Sequence, residues 1–148
     1  MTSSDEVRVT RRFAAPREVV FRAWVEPEQV AMWWAPHDFE VPRPTVEIDP
    51  RVGGRIHFSM RARSDGVDYP VRFEIVELRE PELLVLSSEA MPEVGLAFPT
   101  VTRVVFEEEE DGGTRVTITQ GPHTGEMLPL AQAGWRGSLD KLESLLAA

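Results

Sequence analysis

The sequence predicts a single α+β domain, in which a curved antiparallel sheet of about seven strands wraps around a long C-terminal helix. Three observations predict this class. Several segments alternate apolar and polar residues, which is typical of strands with one buried and one solvated face. Two short helical segments follow the first strand, and the last segment carries an apolar stripe at helical spacing. One domain is expected over residues 1–148, with an ordered core of about residues 6–147.

The first strand and the two short helices are predicted from alternation and from prolines. Residues 6–13 alternate as a half-buried strand, although Arg11 falls on its apolar face. Pro16 is expected to be the first residue of a helix, where the missing N–H of proline costs nothing. Pro27 restarts the chain in a second short helix, which Pro36 ends.

Glycine-rich turns separate the remaining strands. Residues 53–54, 64–66 and 111–113 are turn signals, and each of them contains glycine. Strands joined by such short turns are antiparallel, and another element must cover their buried face. We predict that this cover is a helix over residues 129–146. The further strands are predicted at residues 45–48, 55–63, 69–78, 83–88, 100–106 and 114–119.

Composition and charge exclude several classes of function. The net charge of −9 argues against nucleic acids and anionic membrane surfaces, which bind basic patches. The chain has no cysteine, so disulfides, thiolate zinc sites and a cysteine nucleophile are excluded. The N-terminal residues do not form a signal-peptide pattern, and no apolar run is long enough to span a membrane. The protein is therefore expected in the cytoplasm.

Five short motifs along the chain carry a family resemblance. They are residues 10–16 (TRRFAAP), 20–24 (VFRAW), 33–36 (WWAP) and 48–55 (IDPRVGGR), and Gly134-Trp135 with Leu139 and Leu142. Together they resemble the START-like, or Bet v 1-like (SRPBCC), superfamily, and in particular the branch named after the activator of Hsp90 ATPase. The resemblance implies a helix-grip fold with a cavity between sheet and long helix. Lipid carriers, cyclases, hormone receptors and co-chaperone domains share this fold, so the fold does not decide the function.

If such a cavity exists, inward residues of the sheet and the long helix become candidate ligand-binding residues. A packed core is the alternative explanation for the same apolar positions. Arg11, Ser88 and Gln120 are further polar residues predicted on the inner face, and Arg11 can instead form a structural ion pair. The candidate ligand-binding residues are Phe58, Met60, Tyr69, Phe73, Thr102, Trp135, Trp34 and Leu139.

Histidines and acidic residues receive a structural interpretation. His37, His57 and His123 are not spaced as zinc ligands. His57 alternates outward, whereas His37 and His123 fall in predicted loops that can lie at the mouth of the cavity. The acidic run at residues 107–111 is expected to be a solvated hairpin end, because it lacks the spaced ligands and the bending glycine of a calcium loop.

Three hypotheses for the function follow, in order of preference. The first is binding of a small hydrophobic or amphipathic molecule in the cavity. The second is a cyclase-, aromatase- or hydrolase-like enzyme in the same cavity, which requires buried titratable groups with shifted pKa values. The third is a co-chaperone-like protein-binding domain, which requires an exposed apolar patch. No catalytic residue, metal or cofactor is assigned, and homodimer formation is left open.

Overall fold

The computed structural model describes residues 6–94 and 96–147, which form one sheet and three α-helices. The predicted α+β class, with two short helices after the first strand and a long C-terminal helix, is confirmed. The strands are β1 (Val7–Phe13), β2 (Phe39–Glu40), β3 (Glu47–Ile48), β4 (Arg55–Ala62), β5 (Asp68–Arg79), β6 (Leu83–Ser88), β7 (Thr100–Glu108) and β8 (Thr114–Gly121). The helices are α1 (Arg17–Val25), α2 (Pro27–Trp33) and α3 (Leu128–Ala147).

Within the described residues, the sheet is antiparallel and follows the order β1-β8-β7-β6-β5-β4-β2. β3 lies off this path and also pairs with β4, so β2 and β3 share one edge of that strand. The alternation does not predict β2, because a strand of two residues shows no period. β3 is shorter than the predicted strand at residues 45–48, because Thr45 belongs to a 3-10 turn.

Prolines and a tryptophan determine the course of α1 and α2. α1 begins at Arg17 rather than at Pro16, because Pro16 is the N-cap residue, whose carbonyl accepts hydrogen bonds from amides of the first turn. Pro27 is the first residue of α2, as predicted. The indole N–H of Trp33 donates to the carbonyl of Ala23 at 2.9 Å, which joins the two short helices.

The turn before β4 requires two glycines. Gly53 has a φ of 83°, in the left-handed region that favours glycine. A Cβ atom on Gly54 would lie 2.0 Å from the carbonyl oxygen of Asp49, so a larger residue does not fit. Backbone hydrogen bonds join both glycines to Ile75, where the pairing of β5 with β6 shifts its register. Such a bulge bends a strand, and the turn therefore helps to curve the sheet.

Polar contacts anchor the C-terminal half of α3. The Nζ atom of Lys141 donates to the carbonyl oxygens of Pro36 at 3.0 Å and Phe39 at 2.9 Å. The hydroxyl of Ser138 donates to the carbonyl of Trp34 at 3.1 Å. These contacts hold α3 to the segment after α2.

Arg11 joins β1 to the same end of α3. Its guanidinium lies 3.0 Å from the carboxylate of Asp140 and 2.9 Å from that of Glu143. An arginine on the apolar face of β1 is therefore accommodated by two carboxylates of the helix. Of the two roles expected for Arg11, a structural ion pair and a polar contact on the inner face, the structure shows the ion pair.

A cluster of tryptophans forms the centre of the core. The ring of Trp24 lies 4.5 Å from Trp33, 5.0 Å from Trp34 and 5.9 Å from Trp135, measured between ring centroids. Aromatic rings at these distances and angles attract one another beyond their burial. Because Trp24 contacts both Trp34 and Trp135, its packing fixes the positions of these two indoles.

Candidate functional site

A cavity of about 530 Å³ lies between the sheet and the N-terminal half of α3. Its volume is in the range of pockets that hold small organic molecules. Residues of β4 and β5 line one side, and Ala131 and Trp135 face them from α3. Side chains therefore do not fill the space between sheet and helix completely, in contrast to the packed-core alternative.

Aromatic side chains form a fixed inner wall. The ring of Trp34 lies 5.4 Å from Phe58, 6.0 Å from Phe73 and 6.1 Å from Trp135, measured between ring centroids. Phe58 and Phe73 come from the paired strands β4 and β5, where alternation places both on the inner face. Trp34 is the C-cap residue of α2 and packs on Trp24. The wall is therefore preformed.

Exposed lining residues mark the mouth of the cavity. Pro92 and Glu93 belong to the turn between β6 and β7, and Leu130 lies in the first turns of α3 with 64% of its surface exposed. Met60 and Met127 also line the cavity. Methionine side chains are flexible and polarizable, so they can adapt to the shape of a bound molecule.

Buried polar side chains form a hydrogen-bonded group beside the aromatic wall, here termed the Gln120 network: Thr102, Gln120, His123 and Trp135. The Nε2 atom of Gln120 donates to the hydroxyl of Thr102 at 2.8 Å. Its Oε1 atom accepts from the indole N–H of Trp135 at 3.2 Å and lies 3.0 Å from Nε2 of His123. Because an indole nitrogen can only donate, the contact with Trp135 determines which amide atom is the oxygen.

His123 is buried in this network, with 2% of its surface exposed. Burial lowers the pKa of His123, so its ring is neutral at neutral pH. Since Oε1 of Gln120 only accepts, Nε2 of His123 carries the proton and Nδ1 carries a lone pair. No residue that the structure describes donates a hydrogen bond to this Nδ1 atom. Gln120 and His123 thus give the cavity lining a polar part, while the Nδ1 atom of His123 itself is buried.

Six of the eight residues predicted to bind a ligand line the cavity. Thr102 does not line it, because it is fully buried and Gln120 stands in front of it. Leu139 does not line it either, because it lies one turn beyond Trp135 and is fully buried in the core. The six that line the cavity are Trp34, Phe58, Met60, Tyr69, Phe73 and Trp135.

From the sequence, His123 is expected only in a loop that can lie at the mouth of the cavity, and Pro92, Glu93 and Met127 are not assigned to the site. His123 follows the end of β8, where alternation no longer indicates which way a side chain points. Pro92 and Glu93 lie in an irregular connection, and Met127 precedes α3. Composition is the signal that could have indicated these residues. The connection between β6 and β7 and the one before α3 contain apolar residues that a solvated loop does not require.

The other two histidines lie outside the cavity lining. His37 is exposed and its Nε2 atom is 3.2 Å from the carboxylate of Asp140. His57 lies on the outer face of β4, as predicted, and is partly exposed. Partial burial, Arg55 and Arg72 lower the pKa of His57. Neither position suits contact with a molecule in the cavity.

The acidic run at residues 107–111 forms ion pairs at the end of a hairpin. Glu109 lies 3.1 Å from the guanidinium of Arg12 and 2.9 Å from that of Arg115, and Asp111 also pairs with Arg12. Within residues 6–94 and 96–147, no group of three or more acidic or histidine side chains could hold a metal ion. No helix in the described part of the chain is long and apolar enough to cross a membrane.

Residues 14–147 match the family described as activator of Hsp90 ATPase homolog 1-like protein. The match covers all three helices and every strand except β1, which it does not include. A comparison with curated proteins gave no match.

Several solved structures have the same fold. Protein CV1439 from Chromobacterium violaceum is 25% identical, with a TM-score of 0.86 over 98% of this chain and 99% of that chain. Protein NE0264 from Nitrosomonas europaea is 20% identical, with a TM-score of 0.82 over 99% and 97%. The AHSA1 (SPO3351) protein from Silicibacter pomeroyi is 22% identical, with a TM-score of 0.77 over 96% and 97%. These likenesses support the fold, and none of the three names states a ligand.

Proposed function

The chain belongs to the family of activator of Hsp90 ATPase homolog 1-like proteins, and we propose that it binds a small, largely apolar molecule in its central cavity. The observation that carries this proposal is the cavity of about 530 Å³ with its aromatic wall. The fold of this family generally holds hydrophobic ligands. The ligand itself is not identified by the family.

Burial of apolar surface is the driving force of the proposed binding. Each Å² of apolar surface removed from water contributes about 25 cal/mol. The wall of Trp34, Phe58 and Phe73 is already in place, so binding does not require these side chains to become ordered. Met60 and Met127 supply the adaptable part of the lining.

The polar groups of the cavity favour binding over catalysis. The buried imidazole of His123 hydrogen-bonds to the amide of Gln120 rather than to a carboxylate that would stabilise its charged form. Burial also lowers its pKa, which makes it a weaker base. The cyclase-, aromatase- or hydrolase-like alternative therefore ranks second.

Protein binding ranks third. The family description names an activator of an ATPase, and this name is an argument for protein binding. The outer face of β4 and β5 carries the charged residues Arg55, Arg72 and Glu74, whereas a protein-binding face of this kind would be apolar. Cytoplasmic location and homodimer formation stay predictions.

A cavity-filling substitution tests the proposal. Ala131 lines the cavity from α3, whereas Ala133 is exposed on the same helix. We expect Ala131→Trp to weaken binding of the neutral dye N-phenyl-1-naphthylamine by about tenfold or more, because the indole occupies the cavity. Ala133→Trp, the matched control, should bind the dye as the wild type does. The measurement is dye fluorescence titration, and equal affinity of all three proteins would place the dye elsewhere.

Native mass spectrometry of the freshly purified protein is the complementary measurement. We expect an additional mass of a few hundred daltons, typical of a small molecule in a pocket of this volume, which disappears on denaturation. Fragmentation of that molecule would begin to identify it.

A further inference from the structure

A glycine lies in the middle of the helical face that covers the cavity. Gly134 belongs to the interior of α3 and lines the cavity together with Ala131 and Ser138. These residues are three and four positions apart, so they share one face of the helix. Glycine is less favourable than alanine inside a helix, because its backbone loses more freedom on folding. Gly134 therefore weakens α3 relative to an alanine at the same position.

The packing around Gly134 does not require a glycine. Its backbone is helical, so no left-handed φ excludes a side chain. Apart from its chain neighbours and the backbone of α3, the one described atom within 4 Å of a Cβ at this position would be Cγ of Pro36, at 3.5 Å. This is an ordinary van der Waals distance. The space that the missing side chain leaves is therefore part of the cavity.

Gly137, which lies almost one turn further along α3, differs in this respect. It is buried, and a Cβ atom at its position would lie 3.1 Å from Cδ2 of His37, closer than side chains usually pack. The fit of α3 against the segment after α2 thus explains Gly137. The same explanation does not apply to Gly134, whose open side faces the cavity.

We propose that Gly134 is a specificity-determining residue of the cavity, and that a ring of the ligand lies against the backbone of α3 at this glycine. The inference rests on the proposed function, since it requires a molecule in the cavity. Phe58 and Phe73 line the facing side from β4 and β5, and aromatic faces attract other rings. A single unbranched chain is narrower and does not need the space at Gly134. The ligand class is therefore that of ring-containing apolar molecules rather than unbranched alkyl chains.

The substitution Gly134→Ala tests the inference, because it changes stability and binding in opposite directions. Alanine favours the helix, so we expect the Tm of the ligand-free protein to rise by about 2–4 °C. The added methyl group occupies space that a ring needs, so the affinity for N-phenyl-1-naphthylamine should fall by about fivefold or more. Differential scanning calorimetry measures the Tm, and dye fluorescence titration measures the affinity.

A matched control variant and a second probe complete the test. Gly137→Ala places the same methyl group against His37 instead of in the cavity, so we expect no rise of Tm and the dye affinity of the wild type. The second probe is 1-decanol, an unbranched chain whose affinity is measured by displacement of the dye. We expect this affinity to be the same in the wild type and in Gly134→Ala.

The outcomes separate the inference from the proposed function. If the wild type does not bind the dye, the proposed function fails. If Gly134→Ala binds the dye as tightly as the wild type does, or if its Tm falls, apolar binding stands and the inference is overturned. An equal loss of affinity for the dye and for 1-decanol would also overturn it, because Gly134 would then not distinguish rings from chains. Failure of 1-decanol to displace the dye from the wild type would support the proposed ligand class.

Discussion

A side-chain amide organises the polar side of the cavity. Gln120 donates to Thr102 and accepts from Trp135 and His123, so each of its bonds constrains the next. The donor-only indole of Trp135 determines the orientation of the amide, and the amide oxygen then determines the tautomer of His123. The tautomer of His123 is thus a consequence of a tryptophan on α3.

The residue-scale prediction concerns the pH dependence of stability. Burial lowers the pKa of His123 below its ordinary value of about 6.5, so the unfolded chain binds a proton first as the pH falls. Stability is therefore fully present above about pH 6.5 and decreases as the pH falls toward the folded pKa. We expect chemical denaturation to show a smaller loss of stability between pH 7.5 and 5.5 in His123→Gln than in the wild type.

His57 provides the internal control for this comparison. Its pKa is also lowered, by partial burial and by Arg55 and Arg72, and it is present in both proteins. The difference between the two curves consequently isolates His123. Parallel curves would mean that His123 is readily protonated in the folded protein.

At the scale of elements, hydrogen bonds and ion pairs hold the C-terminal half of α3 in place. Lys141 and Ser138 bond to carbonyl groups of the segment after α2, and Arg11 pairs with α3 from β1. The N-terminal half of α3, with Ala131, covers the cavity. Trp135 joins this half to Gln120 of β8, so contacts hold both halves of the helix while Ala131 faces the cavity.

The element-scale prediction tests the anchor. Lys141→Met removes two hydrogen bonds to the carbonyls of Pro36 and Phe39, and we expect it to lower the free energy of unfolding by about 1–3 kcal/mol. Arg136→Met changes an exposed residue of the same helix and should have little effect. Urea denaturation measures both. If the two variants lose the same stability, Lys141 does not anchor the helix.

Much of this element-scale structure could be predicted from the sequence. Alternation indicated the long strands, and Pro27 indicated the start of α2, because these signals are local. β2 and the exact start of α1 at Arg17 could not be predicted in the same way. A strand of two residues depends on its partner β4, and a proline serves as N-cap or as first helical residue with equal ease.

For the whole molecule, ligand binding and stability are linked. A ligand that binds only the folded state stabilises it by about 2.7 kcal/mol at a free concentration of 100 times Kd. In a domain of this size each kcal/mol raises Tm by about 2–4 °C, so a rise of about 5–10 °C is expected. Differential scanning calorimetry with N-phenyl-1-naphthylamine should show this rise for the wild type and for Ala133→Trp.

Ala131→Trp should show little or no rise under the same conditions, because its cavity is occupied by the indole. A rise of the same size in this variant would indicate that the dye stabilises the protein from another surface.

The sequence by itself determined the fold class, the order of the main elements and most of the aromatic wall. Those features follow from local periodicity, turn chemistry and residue type, so Phe58, Phe73 and Trp135 could be placed on inner faces. Only the tertiary structure decided that the space between sheet and helix is a cavity, and that Leu139 lies beyond it. It alone brought His123 against Gln120 and left Nδ1 without a donor. These outcomes depend on the distance between α3 and the sheet. Contacts between residues that are far apart in the chain determine this distance.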